Sequence, residues 1–596
     1  MKSATVFSDD YREANIDAAH RRADNAYHSI LENEADYLAR KRSALFIPKT
    51  RDHCTRWMTT ITNAFYSSDD LVTLTNTLEP EGARFTNEVV NIRLEKHLPT
   101  FAFIACGADA TVKYGNAVGK TAWDYRVEER SETSLDGVTT TSISPETDKP
   151  TLELIPFENI QYDFRVISED PVQDSPYWRH WIPMYVGDVK QKFKTKEWKK
   201  PKGMDWKVID VRNTDTVRKS RQGKMQDPTA SSFGTDGTDS EYYQVWAVEN
   251  YFRIGGTDWC FTSLGDEYIV TEPERTVDKY THRKRPFAMS AFSPEAFRSL
   301  SDGLPEKARH IQAEINAIRN QRRDNVAFIL NRGHIVKRGA GVQLQSLLSP
   351  RPGMLTLTDD MEAIQPMEYP DVTVSAYREE EISERNFEEI SGQSQNRMGV
   401  DSADRQSATE AAIKASSAGE HEAFVIKGFA EKFIKPLMEM LVANIVAMES
   451  DQGVLNDAAL ATGLPPDVSY LVPCEVVINA GMGVTNKELR TQKIGSAIDR
   501  GIQAMATDPA TYSPAVKELF REMLPLLGLK NTERFIPASP QQRGATTPTN
   551  AGGQPTVAPS PQGPAALPPP PGITPQLGEM VNSTPAMGGF ARGMLQ

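Results

Sequence analysis

The spacing of apolar positions changes character several times along the chain. From Tyr11 to Phe65, Ala, Leu and Ile recur at three- and four-residue intervals among dense charges, as in "AYHSILENEADYLARKRSAL", which predicts helices. A further helix is predicted over Asn87 to His97, closed by Leu98-Pro99. Between Thr100 and Thr281 the pattern shortens to alternating runs, "PTLELIPFENIQYDFRV", "YYQVWAVENYFRI" and "DEYIVTE", punctuated by Gly, Asp, Ser and Pro. This predicts a β-rich, mostly antiparallel region. Helical spacing returns at Gly303 and runs to about Arg332, with Gly333 placed as a left-handed C-terminal cap. About 30 such residues span roughly 45 Å, long against a typical helix. Within it, "ARHIQAEINAIRNQRRDNVAFILNRG" has apolar anchors Ile311, Ile315 and Ile318, then Val326, Ile329 and Leu330. Between them, Arg319 to Asn325 carry no aliphatic residue at all.

From His334 to Pro370 short strands and turns are predicted. After Pro370 a second helix places Tyr377, Ile382, Phe387 and Ile390 among Glu379, Glu380, Glu381, Glu384, Glu388 and Glu389. A polar, glycine-punctuated stretch, "GQSQNRMGVDSADRQS", separates it from a very long helix, about Ala408 to Met448, that Pro436 is expected to kink. A strand, "CEVVINAGMG", and helices near Lys487 to Ala504 and Pro514 to Leu527 come next. From Pro537 onward Pro, Gly, Ala, Gln and Thr dominate, a composition expected to stay disordered.

Composition narrows the function classes. With 596 residues, 39% of them hydrophobic, the chain can bury several cores. Its 67 basic and 80 acidic residues give a net charge of -13, which argues against gripping nucleic acid by overall electrostatics. The first twenty residues hold no apolar signal core, and Phe424 to Met448 is broken by Lys427, Glu431, Lys432, Lys435 and Glu439, so neither secretion nor a membrane span is expected. Cys54, Cys106, Cys260 and Cys474 lie far apart and read as reduced thiols.

The motifs that could carry chemistry are few. Gly119-Lys120-Thr121 ends like a phosphate-cradling loop, but the first glycine of G-x-x-x-x-G-K-[ST] would fall at Tyr114, so an ordinary turn before a helix is the favoured reading. "VKQKFKTKEWKKPKGMDWK", Val189 to Lys207, interleaves Lys192, Lys194, Lys196, Lys199, Lys200 and Lys202 with Phe193, Trp198 and Trp206. It is read as a solvated face with inward aromatics, with phosphate or acidic-protein contact as alternatives. His53-Cys54 has no second ligand pair, which leaves no metal site predicted, and no nucleophile elbow, zincin or dinucleotide motif occurs. No catalytic residue and no cofactor are expected.

The order of these elements resembles the portal, or head-to-tail connector, proteins of tailed double-stranded DNA bacteriophages, most like those of short-tailed phages. The residues that carry the resemblance are "IPFENIQYDFRV", "SPYWRHWIPMYVGDVKQKF", "KRPFAMSAFSP", "EINAIRNQRRDN" and "SATEAAIKAS". It implies a non-enzymatic α+β protein with a wing over 1–300 and 408–486, stem helices over 301–332 and 369–391, and a small β-containing clip over 333–368. It also implies a channel loop over 392–407, a short helical crown over 487–536 and a disordered Pro-rich tail over 537–596. By that analogy Gln393, Gln395, Asn396, Arg397 and Arg405 form the DNA channel loop. Arg319, Arg322 and Arg323 meet Glu380, Glu384 and Glu388 between the stem helices, and Lys337, Arg338, Gln343, Gln345 and Arg351 lie at the clip. The implied partners are further copies in a dodecameric ring, double-stranded DNA in transit, the terminase large subunit, major capsid and scaffolding proteins and a tail adaptor, with no membrane. The implied place is the capsid vertex of a virion assembled in the host cytoplasm. The alternatives from other classes are a packaging-type nucleotide hydrolase using Lys120 and Thr121, and another oligomeric virion protein such as a tail adaptor.

Overall fold

A computed structural model describes residues 1–66, 71–133, 139–204, 244–330, 333–339, 341–343, 356–357, 359–368, 373–392, 421–478 and 487–505, with isolated residues at 206, 217, 241, 345, 347, 516, 519 and 523. The chain divides into two compact units, Met1–Ala497 and Ile498–Gln596, and the first holds both large sheets and the helices packed around them.

Helices come first, as the spacing predicts: α1 (Lys2–Asn15), α2 (Asp17–Tyr27), α3 (Glu34–Ala39) and α4 (Lys49–Phe65). Strand β1 (Val72–Thr75) precedes α5 (Pro80–Ile92), which continues as a wide π turn over Arg93–His97. Next comes α6 (Thr100–Tyr114), inside the region read as strand-rich. The correction has a physical reason. "TFAFIACGADATVKY" is apolar on nearly every face, so it lacks the polar stripe that marks a helix, and its Thr100, Phe103, Ile104, Gly107, Ala108, Thr111 and Val112 are all buried.

The rest of that region is antiparallel, as expected. β2 (Val118–Thr133) and β3 (Thr139–Ile155) form a long hairpin. After it come β4 (Ile160–Tyr162), the short helix α7 (Pro171–Asp174), β5 (Tyr177–Tyr185), α8 (Val186–Lys194), β6 (Gln244–Ile254), β7 (Thr257–Leu264), β8 (Tyr268–Ile269), β9 (Glu274–Arg275), α9 (Thr276–Lys279) and β10 (Phe287–Met289). One sheet runs β4-β5-β6-β7-β8 with β9 also on β7, and a second runs β10-β2-β3. Trp178, Tyr162, Tyr251 and Phe287 fill the core between them.

Chain 421–448 forms the spine of the largest core. Phe429, Phe433, Leu437 and Leu441 pack with Trp57, Ile61, Phe65, Phe85 and Phe103 from α4, α5 and α6. Here the helix contains a π segment at Ala430–Ile434 immediately before the helix Lys435–Met448. Pro436 cannot donate a backbone hydrogen bond, and the π segment just before it takes up that loss at the place where a kink was expected. The end of this helix is locked by a buried bidentate pair: Arg93 Nε and Nη2 donate to Glu449 at 2.8 and 2.6 Å.

Gly115 ends α6 in the left-handed region (φ 89°). A Cβ there would stand 1.9 Å from the Ser301 carbonyl oxygen. The backbone of 301–303 is thereby pressed onto the end of α6, which fixes where the next long helix starts. Gly115→Ala is expected to destabilise the protein by about 3 kcal/mol or more, from left-handed strain added to a backbone clash. The check is a lower midpoint in thermal unfolding, against a milder Gly255→Ala control: Gly255 has φ 60° but nothing within 4 Å of a Cβ, so Ala there costs only the left-handed strain of about 1–2 kcal/mol.

Candidate functional site

After the short helix α10 (Leu304–Lys307), α11 (Arg309–Leu330) is the long rod that the sequence singled out. Its 22 residues run about 33 Å at 1.5 Å per residue. The expected cap at Gly333 adjoins Asn331 and Arg332, which lie outside the described residues. The helix buries little aliphatic surface; Gln312, Ile315, Asn316, Asn320 and Arg322 are its buried residues.

Four polar side chains at four-residue spacing, Gln312, Asn316, Asn320 and Asp324, form one stripe. Along it lies the extended segment 43–48, "SALFIP", continued by the first turn of α4, running antiparallel to the helix. Ser43 N–H donates to Asp324 Oδ1 at 2.7 Å, Leu45 N–H to Asn320 Oδ1 at 2.8 Å, Ile47 N–H to Asn316 Oδ1 at 2.9 Å, and Thr50 N–H to Gln312 Oε1 at 3.1 Å. The Asn320 rung is reciprocal, with Asn320 Nδ2 donating to Leu45 O at 3.0 Å, and Gln312 Nε2 donates to Ile47 O at 2.8 Å, one rung over from the Thr50 N–H it accepts. The registers match because two residues of extended chain advance about 6.7 Å and one four-residue step of helix about 6.0 Å. The polar stripe therefore satisfies a strand's backbone, a role not assigned from the sequence. Its signal was nevertheless present, as amides recurring every fourth position.

The opposite flank meets the glutamate-rich helix α12 (Thr373–Ser391), reached after β11 (His334–Val336) and β12 (Ile364–Pro366). Arg322 forms a buried pair with Glu380, and its guanidinium lies 4.1 Å from the Tyr377 ring centre. Arg319 Nε lies 3.0 Å from Glu380 Oε1. The expected contact between helices therefore forms, but through one shared carboxylate. Glu384 turns instead to Lys49 at 3.1 Å, Glu314 accepts from the Ser383 hydroxyl at 2.9 Å, and Arg323 is exposed. Glu388 is half-buried. Of the apolar anchors, Ile315 is fully buried with Ala308 and Phe387 and Ile311 packs partly against them. Val326 and Leu330 remain 42% and 77% exposed.

β11 and β12 pair antiparallel over His334↔Pro366 to Val336↔Ile364. Lys337 reaches Asp360 at 3.9 Å, and Arg338, Gln343 and Gln345 are exposed. Arg351 and the loop residues Gln393, Gln395, Asn396, Arg397 and Arg405 lie outside the described residues.

The phosphate-loop reading fails on geometry. Gly119-Lys120-Thr121 lies within β2, paired with Leu154, Glu153 and Leu152 of β3, so it is neither a cradle nor the turn before a helix that was expected. Lys120 Nζ donates to both Glu249 oxygens at 2.7 and 2.8 Å. Against the cost of burial, Lys120 and His180 hold the Glu249 carboxyl below the usual carboxylate range. The lysine is thus committed to a structural pair. In the lysine-rich segment the favoured reading holds: Phe193, Trp198 and Trp206 pack on the Val186, Val189, Val245 and Leu264 cluster. Lys194, Lys196, Lys200 and Lys202 stay exposed. Among the described residues no cluster of His, Cys, Asp and Glu is arranged to hold a metal.

Two measurements test this arrangement. Asn316→Ala and Asn320→Ala each leave a strap N–H without its acceptor, at about 1–3 kcal/mol. Hydrogen exchange at Ile47 and Leu45, respectively, is expected to accelerate about tenfold to a hundredfold, since each tenfold corresponds to 1.4 kcal/mol. Unchanged exchange would show that the ladder is not what holds the strap. Second, His53 on α4 packs edge-on against Phe387 of α12 at 5.0 Å between ring centres. Burial first, then the Arg56 charge, lowers its pKa from 6.5 to about 4. A lowered folded-state value means the unfolded chain takes the proton first, so stability present above pH 6.5 is lost as pH falls toward 4. That loss amounts to about 2–3 kcal/mol at 1.36 kcal/mol per unit. Chemical denaturation of His53→Leu at pH 6.5 and 4.5 is expected to show a smaller difference than the parent protein.

No curated protein matches this chain. A family model does, and its description is "Phage SU10 portal protein"; it matches residues 130–566, more than half of the chain. The match spans β3, the six-stranded sheet, the braced rod and its glutamate-rich partner helix. It thereby meets the resemblance carried by the order of those elements, and the chain belongs to the phage SU10 portal protein family.

Proposed function

We propose that the chain assembles head to tail into a closed ring, a dodecamer by the family resemblance, at one vertex of a phage capsid. In this reading double-stranded DNA passes through the ring during packaging and ejection. The observation that carries the reading beyond the family match is the bracing of α11. A rod set obliquely in a ring must face a neighbour on each side and the channel on a third. Here one flank is occupied by the strap and another by α12 within the same chain. Val326, Phe328 and Leu330 stay exposed toward one end, where a neighbouring copy can cover them.

In this reading 301–332 and 369–391 are the stem and 333–368 is the clip that meets the terminase large subunit and then the tail adaptor. Residues 1–300 and 408–486 are the wing, 487–536 the crown and 392–407 the channel loop. Major capsid and scaffolding proteins surround the ring. The net charge of -13 supports it, because each phosphate neutralised by Lys or Arg tightens binding, and a conduit must release what it carries. The role is structural and needs no cofactor. Among the described residues no helix is long and apolar enough to cross a membrane. Ring stoichiometry and channel diameter separate a portal from a tail adaptor.

Negative-stain microscopy of the purified protein is expected to show rings with a central hole, and a monomer mass at every concentration without rings would end this reading. Within it, the double variant Arg397→Ala with Arg405→Ala is expected to form normal rings but to change packaging yield or retention of DNA in filled heads. Parental yield and stable heads would remove the loop as a DNA contact.

A further inference from the structure

Ammonium groups gather in excess at one place on the chain. In a protein of net charge -13, residues 190–202 carry seven lysines, a single acid, Glu197, and no arginine. Val186, Val189 and Phe193 recur at three- and four-residue spacing on the side of α8 that packs with Val245 of β6 and Leu264 of β7, so Lys194 is left outside. The turn after α8 is tied down as well: Trp198 N–H donates to Lys192 O at 3.2 Å and Lys199 N–H to Val270 O at 2.8 Å. Lys192 and Lys199 pair with Glu197 and Glu272, whereas Lys194, Lys196, Lys200 and Lys202 are exposed and, among the described residues, form no ion pair. Four unneutralised charges therefore stand on a fixed base.

One of them is held at a cost. Lys196 follows the end of α8 at φ 63°, the left-handed conformation in which glycine is the usual residue. A lysine there gives up stability that glycine would supply, and strain of this kind collects where a surface has work to do.

The kind of partner follows from what the face lacks. Protein interfaces are enriched in aromatics and arginine and depleted in lysine, and single-stranded nucleic acid is held by aromatics on which its bases stack. Here Phe193, Trp198 and Trp206 all turn inward, and every cation is a lysine, a hydrated point charge without the planar fork that grips one carboxylate. Such a face reads neither a base sequence nor a protein shape. It matches a regular array of phosphates, and duplex DNA supplies one charge about every 1.7 Å along its axis.

We propose that the lysine face at 194–202 is an outer contact for the phosphate backbone of duplex DNA, separate from the channel. Four lysines bind weakly, which lets the DNA go again; repeated in every copy of a ring, they act together on one stretch of duplex. The choice of DNA as partner and the repetition of the face rest on the portal reading.

The test uses topology to separate the face from the channel. Full-length rings, closed before DNA is added, are mixed with a small covalently closed duplex circle, which cannot thread a closed ring. The circle is expected to be retained at low salt, with log affinity falling linearly with log salt. Lys194→Gln with Lys196→Gln, Lys200→Gln and Lys202→Gln is expected to weaken retention about tenfold or more, and to lower the salt slope by about three to four for each copy engaged, at roughly 0.9 per phosphate contact. Lys41→Gln with Arg42→Gln, exposed residues outside the face, is expected to change neither. Lys196→Gly separates binding from folding: its thermal midpoint is expected to rise as the left-handed strain is relieved, while its affinity falls. If linear duplex is retained and the circle is not, DNA is held in the channel alone and the proposal falls. It falls too if the quadruple variant binds as the parent does, or if a single strand of equal charge is held better than the duplex. Retention of poly-glutamate where the circle is not retained would make the face a seat for an acidic protein and also overturn it. A preparation that forms no rings but still loses the circle in the quadruple variant keeps the face and removes the ring reading.

Discussion

The described architecture depends on a helix that buries amides where most helices bury leucines. Gln312, Asn316, Asn320 and Asp324 turn one side of α11 into a row of acceptors for the strap at 43–48 and the first turn of α4, with Asn320 and Gln312 also donating back to strap carbonyls. A buried N–H without a partner costs about 1–3 kcal/mol, and the strap's alternate N–H groups would face that cost without the stripe. The stripe in turn would be a row of unpaired amides without the strap. Each is tolerable only because of the other, so the N-terminal helices and the rod are fixed in one register.

The second brace uses a different interaction and works on the opposite flank. Arg319 and Arg322 converge on Glu380, and Arg322 is nearly enclosed, with the Tyr377 ring against its guanidinium. A buried ion pair adds little net stability over apolar packing but is costly to break. It therefore works as a latch that specifies how α12 sits on α11. Ile315 and Phe387 supply apolar contact at one level, and the hydrogen bond from Ser383 to Glu314 adds another.

Much of the element order was legible because it depends on local spacing: α4, α11, α12 and the strands β4, β6 and β8 all fall where periodicity places them. α6 was hidden because even its exposed positions, Phe101, Ala102 and Cys106, are apolar, so no polar stripe marks the helix. The ladder was hidden for a related reason. Polar positions on a helix suggest solvent or ion pairs, and nothing local to Asn316 or Asn320 announces a strand segment some 270 residues earlier in the chain. Arg322 and Glu380 were legible as a pair, being opposite charges on adjacent helices, whereas the diversion of Glu384 to Lys49 needed the fold. Lys120 was read by motif as part of a turn, and only the register of β2 against β3, with Glu249 beyond, reveals a strand lysine in a fixed ion pair.

The chemistry of the two braces suits the place beside DNA proposed for the rod. DNA carries a dense field and a changing counterion atmosphere, and exposed ion pairs respond to both. Three of the four ladder residues are uncharged, and the one carboxylate, Asp324, accepts from a neutral backbone N–H. Such bonds hardly feel ionic strength. The charged latch sits on the other flank with Arg322 and Glu380 at 7% and 6% exposure, where screening is weak. On the ring reading, the rod therefore keeps its register whether the channel is empty or filled.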